Sequence, residues 1–220
     1  EYVIPVTGHA LTRRATDQIF AMAGSVTKRD EKTAAAIFES LLLTGIAMSF
    51  TKTSRPGSGT EHIMAHFWEC MELLDGKTPN YHGEDVGVTT LIMLRYYEAL
   101  SRLPQVTAHP EVCNWDEIYR IYGPLAPDVQ KLNTPDTITD GIAPRRIEAC
   151  WPEIRRIVQS VPSYDACLAA MRQAGCKTTI GEVGKAPDFV EISFRFHPYM
   201  RRRLSLKRVS HMLDLPEPLF

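Results

Sequence analysis

The stretch SRPGSGTEHIMAHFWE, residues 54–69, decides how the chain is read. Pro56, Gly57 and Gly59 interrupt regular structure. Ser58 and Glu61 then have the S-x-x-E spacing of a helix capping box. The following residues keep a helical period to about residue 74. This helix carries His62 and His66 four positions apart, so both imidazoles lie on one face, one turn apart. Glu69, seven positions after His62, falls on nearly the same face.

Helical periods dominate on both sides of this stretch. ALTRRATDQIFAMAGSV spaces Ala10, Leu11, Ala15, Ile19 and Met22 as a first helix. Asp30 is placed to N-cap a second, from 31 to about 50. Its middle is apolar nearly all round, which predicts neighbours on several sides inside a bundle, with Gly45 marking a close helix contact. After the turn-rich DGKTPNYHG, a helix is expected from about 84 to 102. Shorter ones are expected near 115–122, 146–160 and 164–174, with TTIGEVG as a turn. A last helix is expected from about 189 to 213, broken near Pro198, with a non-helical LPEPLF tail. The predicted fold class is all-α: a multi-helix bundle forming one helical metal-binding and substrate domain over residues 1–220.

Composition fits a globular, soluble chain: 44% of the 220 residues are hydrophobic and 23% charged. A formal net charge of -1 gives no basic field for nucleic acid or acidic membrane. Cys70, Cys113, Cys150, Cys167 and Cys176 are scattered and odd in number, which suits buried thiols in a reduced, cytoplasmic protein. The first twenty residues lack the apolar run of a signal peptide. The longest apolar stretch, 34–50, is interrupted by Glu39, Ser40, Thr44 and Ser49 and is expected to be too short and polar for a membrane span. The chain opens on EYVIPVTG without an initiator Met, as a fragment or processed chain would.

His82 adds chemistry to the pair at 62 and 66. It opens HGED at a predicted helix start, and neutral imidazole is the commonest metal ligand. A catalytic divalent cation ordinarily takes three protein ligands and keeps one open position. His62 and His82 supply two. Glu61 is assigned to the capping box, and Glu84 and Asp85 suit the first turn of a helix, so no third ligand stands out. A stand-alone metallohydrolase would need one within this chain. Arg55, beside a helix start, suits a phosphate or carboxylate. His9, His109, His197 and His211 read as surface or core filler. Arg201, Arg202, Arg203, Lys207 and Arg208 read as a solvated basic face, and Trp68, Trp115 and Trp151 as core. No glycine-rich strand-turn-helix fingerprint is present for a dinucleotide or P-loop site.

These motifs together resemble a known family. GIAMSF, SRPGSGTEHIMAHFWE, HGEDVGVTTLIM, GCKTTIGEVG and FHPYMRRRLSLKRVSHMLDL are similar to the C-terminal helical domain of the bacterial glycerol-1-phosphate dehydrogenases. That family lies in the iron-containing alcohol dehydrogenase and dehydroquinate synthase superfamily. The resemblance implies a full-length parent with an N-terminal Rossmann-like domain for NAD or NADP. It implies a zinc or nickel ion, iron in some cousins, and reversible reduction of dihydroxyacetone phosphate to sn-glycerol 1-phosphate. By the same resemblance His62 and His82 are metal ligands and His66 a catalytic residue associated with proton transfer. The family's third ligand, an aspartate on an earlier helix, has no counterpart in this sequence, nor has the nucleotide domain, so the isolated chain is expected to be inactive. Arg55 and Ser58 are expected to position substrate. Gly57 stands where many members carry alanine. The resemblance further implies phospholipid biosynthesis, a small phosphorylated triose or glycerol substrate, no nucleic-acid partner, no membrane span and a homo-oligomer, with a dimer favoured. The alternatives are a non-catalytic helical interaction or dimerisation module, or a dehydrogenase of the same superfamily acting on another polyol or alcohol.

Overall fold

Every regular element in the computed structural model, which describes residues 6–216, is helical. An isolated antiparallel bridge between Ala108 and Leu213 is the nearest approach to a strand among the described residues. Part of the LPEPLF tail lies outside them. The chain divides into two compact units: Glu1–Gly59 with Asp165–Thr178, and Thr60–Tyr164 with Thr179–Phe220.

In the first unit, α1 (Val6–Met22) lies antiparallel to α2 (Glu31–Thr51). Gln18 donates to Ala36 O and to Glu39, and Arg14 reaches the Glu39 carboxylate at 3.1 Å. Asp30 caps α2 as expected, accepting from the Thr33 amide at 2.7 Å. The surroundings expected for α2 are not found. It buries the small and polar side chains Thr33, Ala36, Ser40, Ala47 and Thr51. Phe38, Leu41, Leu42, Ile46 and Phe50 are exposed, Phe38 and Leu41 by 62% and 65%. A Cβ on Gly45 would meet nothing within 4 Å, so no close helix contact forms there. Helix α2 has 21 residues and contains an 18-residue window of mean hydropathy 1.6, so by length and composition it is long and apolar enough to cross a bilayer, against the expectation that this segment is too short and polar. The polar residues Glu39, Ser40, Thr44 and Ser49 are too few to offset the aliphatic and aromatic side chains around them. The 3-10 turn Arg55–Gly57 sits against α2, where a Cβ on Gly57 would stand 2.9 Å from Thr44 Cγ2.

The second unit is built on α3 (Thr60–Leu74) and α4 (His82–Ser101), which also run antiparallel. Thr89 Oγ1 donates to Glu61 O, and Tyr97 OH donates to Thr60 Oγ1. Around them lie α5 (Trp115–Tyr122), α6 (Ala126–Asn133) and α7 (Pro144–Val158), while α8 (Tyr164–Gln173) belongs after its first residue to the first unit. The unit closes with α9 (Pro187–Phe196) and the short α10 (Leu206–Val209). The core joins Met64, Phe67 and Trp68 of α3 to Val88, Met93, Tyr96 and Leu100 of α4, with Ile118, Tyr122, Trp151 and Phe196 packed on them. Trp68 satisfies its indole by donating to Ser193 Oγ at 2.7 Å.

The break expected near Pro198 is present, and it leaves two helices joined through 3-10 and irregular segments. Pro198 has no N–H to continue α9, and the chain leaves it through His197–Met200. Ser205 then caps α10, accepting from the Arg208 amide. Tyr122 OH and Asn133 Nδ2 satisfy the backbone carbonyls of Phe196 and Tyr199 at this break. The basic run is not one solvated face. Arg201 and Arg202 are exposed, but Lys207 and Arg208 are buried. Cys150 and Cys176 are exposed, against the expectation of buried thiols.

Candidate metal centre

Helix α3 buries Ile63, Met64, Phe67 and Trp68, a spacing that fills one side of a 3.6-residue period. The remaining side carries His62, His66 and Glu69, all partly buried. His82 comes from the facing element. It is the first residue of α4, which starts two residues earlier than the sequence suggested. The imidazole is therefore fixed to a helix end and not to the preceding loop.

The three rings meet. His66 and His82 stack with centroids 4.8 Å apart and planes at 20°. His62 and His82 lie 5.3 Å apart, tilted by 54°. Glu69 stands between two of them: Oε2 is 2.9 Å from His66 Nδ1 and Oε1 is 2.5 Å from His82 Nδ1. Glu61 Oε1 is 2.9 Å from His62 Nδ1. An ionised carboxylate only accepts, so each Nδ1 donates and each ring keeps Nε2 as its lone-pair nitrogen. A carboxylate behind an imidazole is the usual outer support of a histidine that binds metal. Burial tends to raise the Glu69 carboxyl, but the hydrogen bonds from His82 and His66 outweigh it and hold the group below its ordinary value.

One ligand atom each from His66, Glu69 and His82 lies within 4.8 Å of the others. Of the expected residues, the structure thus brings His62, His66 and His82 together. It adds Glu69 as the carboxylate that sequence reading did not promote to a role, although its position seven residues after His62 was the available signal. Arg55 lies in the 3-10 turn of the first unit and Ser58 at the end of that turn.

A buried polar cluster in the second unit was missed. Arg208, 0% exposed, bonds Glu111 through Nε and lies over the Tyr199 ring at 4.1 Å. Glu111 also accepts from Thr139 Oγ1 at 2.5 Å. His211 bridges Tyr199 OH at 3.2 Å and the Lys207 amine at 3.1 Å. Lys207 Nζ lies 4.2 Å from the Phe194 ring centroid, and burial lowers its pKa to about 7. Burial likewise lowers His211 to about 4 and His197 to about 3. His197 donates from Nδ1 to Ser193 O, and its buried Nε2 makes no hydrogen bond among the described residues.

The chain is similar to curated glycerol-1-phosphate dehydrogenases [NAD(P)+]. It is 26% identical to that of Geobacillus stearothermophilus over 212 residues, 96% of this chain and 46% of the relative. It is 26% identical to that of Thermoplasma volcanium over 170 residues, 76% of this chain and 43% of the relative. Over 85 residues, 39% of this chain and 23% of the relative, it is 36% identical to that of Methanosarcina barkeri. The chain therefore spans less than half the length of these relatives. No family model matches it, and no solved structure does.

Proposed function

We propose that this chain, a relative of the glycerol-1-phosphate dehydrogenases, carries the metal-binding half of an NAD(P)-dependent oxidoreductase. Its reaction would be the reversible reduction of dihydroxyacetone phosphate to sn-glycerol 1-phosphate. The observation that carries this reading is the convergence of His66 and His82 on Glu69, with the His62 ring 5.3 Å from His82, within a chain related to such enzymes. Imidazole ligands suit zinc, nickel and iron alike.

His62 and His82 are the ligands we assign from the resemblance, with His66 beside them for proton transfer and Glu69 behind His66 and His82. A bound divalent cation supplies Lewis acidity at the oxygen of the carbonyl or alcohol. The chain's own side chains do the rest. Glu69 fixes the tautomer and direction of His66 and His82 together, and Glu61 does so for His62. His66, with Nδ1–H held on Glu69, offers Nε2 to take or return the proton of the substrate hydroxyl. Arg55 and Ser58 are assigned to the substrate phosphate, which a guanidinium binds well.

The test is metal titration of the protein with Co²⁺ or Zn²⁺, beside His82→Ala, with turnover of dihydroxyacetone phosphate and NAD(P)H measured in parallel. Stoichiometric binding that His82→Ala abolishes supports the reading, and equal binding by both proteins refutes it. A second reading, a non-catalytic helical interaction module, is favoured by the exposed apolar face of α2. Stable self-association with no metal binding would select it.

A further inference from the structure

One turn along both helices from the Glu69–His82 contact lies a second charged group that the proposed chemistry does not use. Lys185 follows the TTIGEVG turn, and its side chain is 1% exposed. Its amine is 2.5 Å from Glu72 Oε1 on α3 and 3.4 Å from Asp85 Oδ2 on α4, and it lies 5.5 Å from the Trp68 ring centroid. Asn80 closes the group, donating to Asp85 Oδ1 at 2.9 Å and to Val183 O at 2.8 Å. Glu72 Oε2 and Asp85 Oδ2 are buried and make no hydrogen bond among the described residues.

A buried ammonium facing two carboxylates is costly to desolvate, and such groups are weak evidence of stabilisation in themselves. Its placement is informative. Glu72 is three residues from Glu69 and Asp85 three residues from His82, so each partner shares a helix face with a member of the histidine cluster. The rings on α3 and α4 can share Glu69 only while the two helix ends hold one spacing and one rotation. The Glu69–His82 hydrogen bond is partly exposed to water, whereas the Lys185 and Asp85 side chains are buried.

We infer that Lys185 is a positioning residue for the metal centre: by holding Glu72 and Asp85 at once, it fixes α3 against the first turn of α4 and so sets the distance between His66, Glu69 and His82. This rests on the metal-binding reading above. No bond to a metal or substrate is assigned to Lys185.

The test uses Co²⁺, followed by its visible spectrum and by calorimetric titration. Four proteins are compared: wild type, His82→Ala, Lys185→Met, and Lys185→Met combined with Glu72→Gln and Asp85→Asn. The triple variant removes the unpaired buried charges that would unfold the single one. Loss of an outer support typically weakens metal binding about 10–100-fold. The expected result is a loss of that size, with a changed cobalt spectrum, in a Lys185 variant whose urea midpoint in the absence of metal shows it folded. A folded triple variant with wild-type affinity and spectrum overturns the inference. So does failure of both Lys185 variants to fold, which would make the group a fold element only. If wild type binds no Co²⁺, or His82→Ala binds as well as wild type, the metal reading itself fails, a separate and recognisable result.

Discussion

Acid should unfold this protein through His197, and the size of the effect follows from its surroundings. The ring is 0% exposed, with Nδ1–H on Ser193 O and Nε2 facing no acceptor among the described residues. Protonation would bury a new N–H and a charge with nothing to receive them, beside the Lys207 amine and near His211. Burial, and then the Lys207 charge, thus lower the folded-state pKa from 6.5 to about 3. Above pH 6.5 neither state binds this proton and His197 contributes no pH dependence. Between 6.5 and 3 the unfolded chain binds it and the folded chain does not, so stability falls as pH falls. The loss from this ring is RT ln(1 + 10^(6.5 − pH)), about 1 kcal/mol at pH 5.5 and about 3 kcal/mol at pH 4.5. Leucine is close to histidine in volume, and Ser193 O keeps the His197 backbone N–H as a donor, so His197→Leu leaves no orphaned carbonyl. Urea unfolding of wild type and His197→Leu at pH 7.5, 5.5 and 4.5 measures the difference. The gap between the two proteins should narrow or reverse by those amounts. Parallel stability curves across this range would show that His197 is protonated alike in both states, and the argument from burial would be wrong.

Other outcomes follow from single contacts. Glu111→Gln leaves the buried Arg208 guanidinium without its counter-charge and should cost about 3–5 kcal/mol in chemical unfolding. Gly57→Ala should cost about 1–3 kcal/mol because the new methyl overpacks against Thr44 Cγ2. Adding Thr44→Ser, which deletes that methyl but keeps the hydroxyl bonded to Ser40 O, should recover most of the loss in thermal unfolding. Arg55→Ala should raise KM for the phosphorylated substrate in an active enzyme while leaving Zn²⁺ content unchanged. Phe38→Ser with Leu42→Ser should change urea stability by no more than about 1 kcal/mol in a monomer, since surface substitutions are individually worth about 0.5 kcal/mol or less. A larger loss would show that this face is covered in solution.

The helical class and the histidine cluster were legible because both depend on short-range spacing. His62 and His66 lie one turn apart in any helix, and HGED announces the start of the next. What α2 faces was not legible. Its apolar residues surround the helix in sequence, but the small residues Ala36, Ser40 and Ala47 are the ones that let a neighbour approach, so the larger ones are left outside. The burial of Lys207 and Arg208 was hidden for a different reason. Their partners Glu111 and Tyr96 lie far away in sequence, and five basic residues within eight positions resemble a solvated surface until α10 turns two of them inward. Glu69 stood on the right face of α3, yet only the fold shows that His82 reaches its second oxygen.

That shared carboxylate ties the fate of two histidines to one codon. His66 and His82 sit on separate helices and could in principle be lost or altered one at a time. Because both take their tautomer and direction from Glu69, a change at position 69 withdraws the two together, whereas a change at either histidine leaves the other still aimed. Restoring Glu69 alone would return support to both rings, whereas restoring either histidine returns only that ring.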